Sequence, residues 1–245
     1  MWLGPRPIDG SFYGSLRAVS ILAVEAHLHD ATVCGMRVGE HELSPSKIVG
    51  IGQNYRLHAQ EMGKGIPSEP LIFFKPPSAL VGDGGVIERP AGYARVDHEA
   101  ELGVVIGKRA RRVRKADALD HVLGYTCVND VTVRELQQKD GQWARAKGFD
   151  TFCPVGPRIV PGLDPSDLAI RCRVNGQPRQ DSRTSDLIFD VPTLIEFITT
   201  HMTLEPGDLI STGTPAGVGN LNVGDVVEVE IEGIGVLTNR VVARE

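Results

Sequence analysis

The chain has 245 residues and a net charge of −5, with 41% hydrophobic and 23% charged residues. This is the mix of an ordinary globular protein able to bury one large core, and the acidic balance argues against a nucleic-acid partner. No apolar run is long enough to span a bilayer; no signal peptide or C-x-x-C spacing is present, so Cys34, Cys127, Cys153 and Cys172 read as free thiols in a reducing cytoplasm.

Residues 1–45 read as a small strand-rich module, with ELSPSK at 42–47 as its exit linker and 46–245 as the main domain. His27, His29 and His41 fall in the module and carry no assigned role. KIVGIGQN at 47–54 reads as a buried strand, followed by a short helix with Asn54 as N-cap. His58 and Glu61 lie three apart on that helix, where they can meet. A carboxylate that orients an imidazole makes a general base, although the same pair also suits an exposed surface. Gly63 and Gly65 give the segment the character of a hinged lid. Lys75 ends the strand in EPLIFFKPP, either as a cation for an anionic ligand or as a snorkelling edge lysine.

VDHEAELGVVIG at 96–107 reads as one strand. Side chains two apart share a face, so Glu99 and Glu101 point one way and Ala100, Leu102, Val104 and Ile106 the other. Two adjacent carboxylates repel unless a cation or shared proton offsets them, and oxygen-only ligation suits Mg²⁺, Mn²⁺ or Ca²⁺. E-x-E alone equally describes a solvated strand face. KRARRVRK at 108–115 reads as a solvated turn.

A helix is expected over 116–124, then a strand to Asp130, then a helix from 131. Asp130 is a candidate ligand or an N-cap of that helix. Arg134 and Gln137 share its face. Lys147, amid Phe149 and Phe152, is a candidate anion-holding or catalytic lysine, or a surface one. The NGQ turn predicts a hairpin, and 191–204 an amphipathic helix. Backbone amides and the hydroxyls of Thr212 and Thr214 in STGTPAGVGN can bind carboxylate oxygens. The sum is roughly ten short strands and a few helices, a mixed β-rich α+β fold with helices at its edge.

In order, GQNYRLHAQE, EPLIFFKPPSALVG, VDHEAELGVVIGK, GYTCVNDVTVRELQ, WARAKGFDTFCPVGP, VNGQPRQ and LEPGDLISTGTPAGVG resemble the fumarylacetoacetate hydrolase family. The closest likeness is to its acylpyruvase and oxaloacetate decarboxylase branch, and it covers Lys47 to the C-terminus. The resemblance implies a rolled, barrel-like β-sheet core with peripheral helices, assembled as a homodimer. It places metal carboxylates at Glu99, Glu101 and Asp130, holding Mg²⁺ or Mn²⁺, the lid dyad at His58 and Glu61, and the active-site lysine at Lys147. Substrate contacts fall on Arg134, Gln137, Lys75 and the Thr212–Gly213–Thr214 loop. His98 stands where many members carry tyrosine.

These parts suit a small 2-oxo acid that chelates a metal through its carboxylate and keto oxygens. Hydrolysis of a 2,4-dioxo acid between carbons 3 and 4 would use the His58–Glu61 base and release a pyruvyl enolate. Oxaloacetate decarboxylation or isomerisation of a hydroxymuconate-type dioate would use the same site without added water. A non-catalytic binding protein with structural Ca²⁺ at the same carboxylates is the reading of another class.

Overall fold

Alternating apolar and β-branched residues shape most of the molecule, a computed structural model that describes residues 35–57 and 65–245. His58, Glu61, Cys34, His27, His29 and most of the 1–45 module lie outside the described residues. Seventeen strands are present among the described residues, more than the turn signals predict, because several are only two or three residues long.

The central sheet has seven strands in the order β4 (Leu71–Lys75), β3 (Ile48–Gly52), β14 (Leu209–Ser211), β8 (Ala100–Ile106), β9 (Val122–Asn129), β11 (Cys153–Val160) and β5 (Leu80–Val81). A second sheet of five strands runs β13 (Gln177–Arg183), β12 (Ala169–Val174), β16 (Val226–Ile231), β17 (Gly235–Ala243) and β6 (Val86–Arg89). A small sheet joins β10 (Thr132–Val133), β7 (Val96–His98) and β15 (Gly219–Asn220), and β1 (Met36–Val38) pairs with β2 (His41–Leu43). The result is the curled half-barrel of the predicted fold class.

Both faces of the central sheet are buried. Ala100, Leu102, Val104 and Ile106 join one apolar cluster with Ile170, Cys172 and Val229 of the second sheet, while Val105 and Leu209 pack on the other face with Val38 and Leu43 of the β1–β2 hairpin. This two-sided burial explains why the stretch reads as a near-continuous apolar run.

Three expected elements differ. The strand expected over 96–107 is two strands that break at Glu99, where the chain passes from the small sheet into the central one. The helix expected over 116–124 is a 3-10 turn, Lys115–His121, and Gly124 lies inside β9. A Cβ at Gly124 would stand 2.7 Å from the Val160 carbonyl oxygen, so the glycine serves close strand approach rather than a helix end. The helix expected from 131 is α1 (Arg134–Asp140), because Thr132 and Val133 pair with Asp97 and Val96. Asp130 is therefore not its N-cap. A short helix, α2 (Ala144–Lys147), follows.

The hairpin at Asn175–Gly176 is as predicted, with φ of 53° and 74°, the pair of positive values a type I′ turn requires. Helix α3 (Val191–His201) is capped by the Asp190 carboxylate, which accepts from the Thr193 amide at 2.9 Å, and buries Leu194, Ile195 and Ile198. His201 turns back onto the Phe197 carbonyl at 2.8 Å, a structural contact.

Candidate active site

The break at Glu99 builds the site. The β8–β9 ladder ends at the Ala100–Asn129 pair and the β7–β10 ladder begins at the Asp97–Thr132 pair, so Glu99 and Asp130 both sit at the handover. Their backbones are tied there: the Asp130 amide donates to the Glu99 carbonyl at 2.9 Å, and the Glu99 amide to Asn129 Oδ1 at 2.9 Å. Carboxylate oxygens of Glu99, Glu101 and Asp130 lie within 4.8 Å of one another, all buried. Alternation thus brings together the pair read from E-x-E, and the strand end of β9 adds the third.

Three cations face these carboxylates. Lys147 Nζ donates to Glu99 Oε2 at 2.8 Å, to Thr132 Oγ1 at 2.9 Å and to Asp130 Oδ2. Lys75 Nζ donates to Asp130 Oδ1 at 2.6 Å. Arg134 donates through Nε to Asp97 Oδ2 at 2.7 Å, through Nη1 to Gln137 Oε1 at 2.8 Å, and through Nη2 to Glu99 Oε1. Burial opposes the charge of Lys147, but Asp130 and Glu99 more than offset it and hold the ammonium protonated. Glu101 differs. Burial, with the charges of Asp130 and Glu99, pushes its carboxyl up to about 8, although Ser211 Oγ and the Gly213 amide both donate to its Oε2.

A buried, oxygen-only set with one carboxylate left short of positive charge fits a hard divalent cation. Mg²⁺ or Mn²⁺ would be held by Glu99, Glu101 and Asp130.

The carboxylates open onto a cavity of about 600 Å³ lined by Glu99, Glu101, Arg134, Gln137, Lys147 and Thr214 on its polar side. Ile51, Phe73 and Trp143 line the other wall. Phe73 and Trp143 meet at a tilt of 60° with centroids 5.3 Å apart, and Lys147 Nζ lies 4.7 Å from the Phe73 centroid. Two strand glycines make that wall possible. A Cβ at Gly50 would fall 2.2 Å from the Phe73 ring and one at Gly52 2.7 Å from the Trp143 ring.

Lys75, expected at the substrate, is 1% exposed behind Asp130 and is absent from the cavity lining. Thr212 is fully buried with no partner for its hydroxyl among the described residues, and Thr214 Oγ1 donates to the Ala100 carbonyl at 2.9 Å. The Asn54 side chain binds the Phe189 amide and carbonyl and the Thr212 carbonyl, fastening the 212–214 loop, while the helix expected after it lies largely outside the described residues. His98 points away from the carboxylates, 3.2 Å from Gln180 Oε1 and 3.4 Å from Cys172 Sγ.

Several site residues are not among those read from the sequence. Gln180 accepts from the Ala100 amide at 3.0 Å and donates to Thr214 Oγ1 and the Pro215 carbonyl, each at 2.8 Å, clamping the carboxylate strand to the loop. Arg95, Asp97, Phe73 and Trp143 join it. Only the strand glycines of GIG at 50–52 carried a signal, that of close approach by bulky neighbours.

A rolled β core that gathers three buried carboxylates able to hold a metal ion, a lysine and an arginine at one cavity defines an enzyme of small molecules. The model of the fumarylacetoacetate (FAA) hydrolase C-terminal domain matches residues 47–242, and the chain belongs to this family. Oxaloacetate tautomerase YisK of Bacillus subtilis is 45% identical over 80% of this chain and 70% of its own. The crystal structure of 2-hydroxyhepta-2,4-diene-1,7-dioate isomerase from Mycobacterium marinum is 51% identical over 82% of this chain and 76% of that one, with a TM-score of 0.77. Fumarylpyruvate hydrolase from Pseudomonas aeruginosa, solved with Mn²⁺ and pyruvate, is 32% identical over 86% and 96%, with a TM-score of 0.79.

Proposed function

We propose that the chain is a Mg²⁺- or Mn²⁺-dependent hydrolase that cleaves the bond between carbons 3 and 4 of 2,4-dioxo acids. The observation that carries this reading is the buried Glu99–Glu101–Asp130 set facing Lys147 at the cavity floor. A divalent cation there would supply a Lewis acid for the 2-oxo group. Lys147 offers positive charge where the enolate of the pyruvyl half develops, the place where fixed electrostatics lowers a barrier most. Gln137, whose Oε1 is taken by Arg134, has its amide N–H groups left to orient the substrate carboxylate. His58 and Glu61 are the proposed base for water. Three buried free cysteines support a reducing, cytoplasmic setting, and the family resemblance supports a homodimer, to be checked by light scattering.

The test is turnover of acylpyruvates, fumarylpyruvate, oxaloacetate and a diene dioate after chelation and after Mg²⁺ or Mn²⁺ is restored. Glu101→Ala is expected to abolish metal binding and turnover; full activity in the metal-free variant overturns the reading.

The names of the tautomerase and isomerase relatives favour a second reading, in which Lys147 serves an enolate formed without water: tautomerisation or decarboxylation of oxaloacetate, or isomerisation of a dioate. His58→Ala separates the two. Under hydrolysis it loses acylpyruvate cleavage far more than oxaloacetate chemistry.

A further inference from the structure

Three cationic side chains line the cavity, Arg95, Arg134 and Lys147, and their hydrogen bonds divide them sharply. Lys147 has all three donors on Glu99, Asp130 and Thr132. Arg134 has Nε, Nη1 and Nη2 on Asp97, Gln137 and Glu99, and is 7% exposed. Arg95 alone among them has terminal nitrogens that meet no partner among the described residues. Its Nε meets Asp97 at 2.9 and 3.1 Å, its side chain is 54% exposed, and Nη1 and Nη2 have no partner among the described residues.

This arginine is nonetheless fixed in place. Glu135 Oε1 accepts from the amides of Ala94 and Arg95 at 2.6 and 3.1 Å, and the Arg134 amide donates to the Arg95 carbonyl at 3.1 Å. Asp97, fully buried and shared with Arg134, holds the base of the guanidinium. The open edge of such a fork matches the two oxygens of a carboxylate. Successive ion pairs run from Arg95 through Asp97 and Arg134 to Glu99, so in this series the open fork is at the end away from the carboxylate cluster. The wall of Phe73 and Trp143 borders the same cavity and suits a planar carbon chain.

We infer that Arg95 is a specificity-determining residue that binds a second, distal carboxylate, and that the substrate is a 2-oxo or 2,4-dioxo dicarboxylate rather than an acylpyruvate with an apolar tail. The inference rests on the reading of the site as one for 2-oxo acids.

The test is calorimetric binding of 2-oxoadipate and 2-oxohexanoate to the Mg²⁺-loaded protein; these differ only in a terminal carboxylate in place of a methyl group. The native protein is expected to prefer 2-oxoadipate by about tenfold or more, the worth of one charge-assisted contact. Arg95→Ala is expected to erase that preference while leaving 2-oxohexanoate binding within about twofold, and Arg95→Lys to keep part of it, because the charge remains and the fork does not. Equal binding of both acids by the native protein, or a preference that survives Arg95→Ala, overturns the inference. Failure of both acids to bind in the presence of Mg²⁺ overturns the 2-oxo-acid reading of the site itself, and the inference with it.

Discussion

The Gly213 amide donates to Glu101 Oε2 at 2.8 Å, so the loop after β14 aims one of the three carboxylates. Gly213 has a φ of 102°, and a Cβ there would meet the Asn54 Cβ at 2.7 Å. Gly213→Ala therefore meets both backbone strain of about 1–3 kcal/mol and a clash with the residue that anchors the loop. The expected outcome is a loss of divalent-cation affinity of about tenfold or more, read by calorimetry, in a protein that still folds.

Lys75 and Asp130 form a fully buried ion pair at 2.6 Å. Removing one partner of a buried pair costs up to about 3–5 kcal/mol, and less here because Lys147 still donates to Asp130. Lys75→Met is expected to lower the urea midpoint accordingly, with KM for any remaining activity changed little, because Lys75 lies behind the carboxylate. A large KM effect with native stability would restore Lys75 as a substrate contact.

The carboxyl of Glu101, pushed up to about 8, gives the metal-free protein a characteristic pH dependence. Between the ordinary carboxylate range and pH 8 the folded state binds more protons than the unfolded one. Stability therefore falls as pH rises across that window. Urea titrations between about pH 5 and about pH 8 with chelator are expected to show the decline, and saturating Mg²⁺ to remove it. A metal-free protein whose midpoint rises across the same range would contradict the charge balance described for the site.

Gln180 holds the Ala100 amide, Thr214 and Pro215 together with four buried contacts once His98 is counted. Gln180→Leu keeps the volume and leaves these groups unmet, at about 1–3 kcal/mol for each orphaned group. Lower thermal stability together with weaker Mg²⁺ binding is expected. Gln180→Glu, which keeps the two acceptor contacts and loses the two donor contacts, should fall between it and the native protein.

Burial pushes the thiols of Cys127, Cys153 and Cys172 up to about 12. Native protein is expected to leave these three unreacted with a thiol reagent at neutral pH, and unfolding in denaturant to expose them. Rapid labelling of any of them in the folded state would contradict the burial.

Glu99 and Glu101 were legible as a pair because a period of two is a local property of a strand, whereas Asp130 joined them through the family resemblance. The break at Glu99 was not, since the change of sheet depends on partners at Thr132 and Asn220, far along the chain. Lys75 and Asn54 illustrate the same limit. Strand-end and cap positions named plausible local roles, but side chains at both positions bind residues more than fifty positions away. Arg95 and Asp97 carry no local signature, because what distinguishes them is which donors the fold leaves unused.

The partners of Glu101 lie late in the chain, Ser211 and Gly213 being 110 and 112 residues downstream. During synthesis the first two carboxylates emerge with their strand, yet the loop that orients Glu101 leaves the ribosome more than a hundred residues later. A nascent chain halted before residue 211 would carry the acidic residues without the donors that aim them. Competence for a divalent cation at the proposed site would therefore arrive only with the 211–213 loop, well after the acidic residues that it serves.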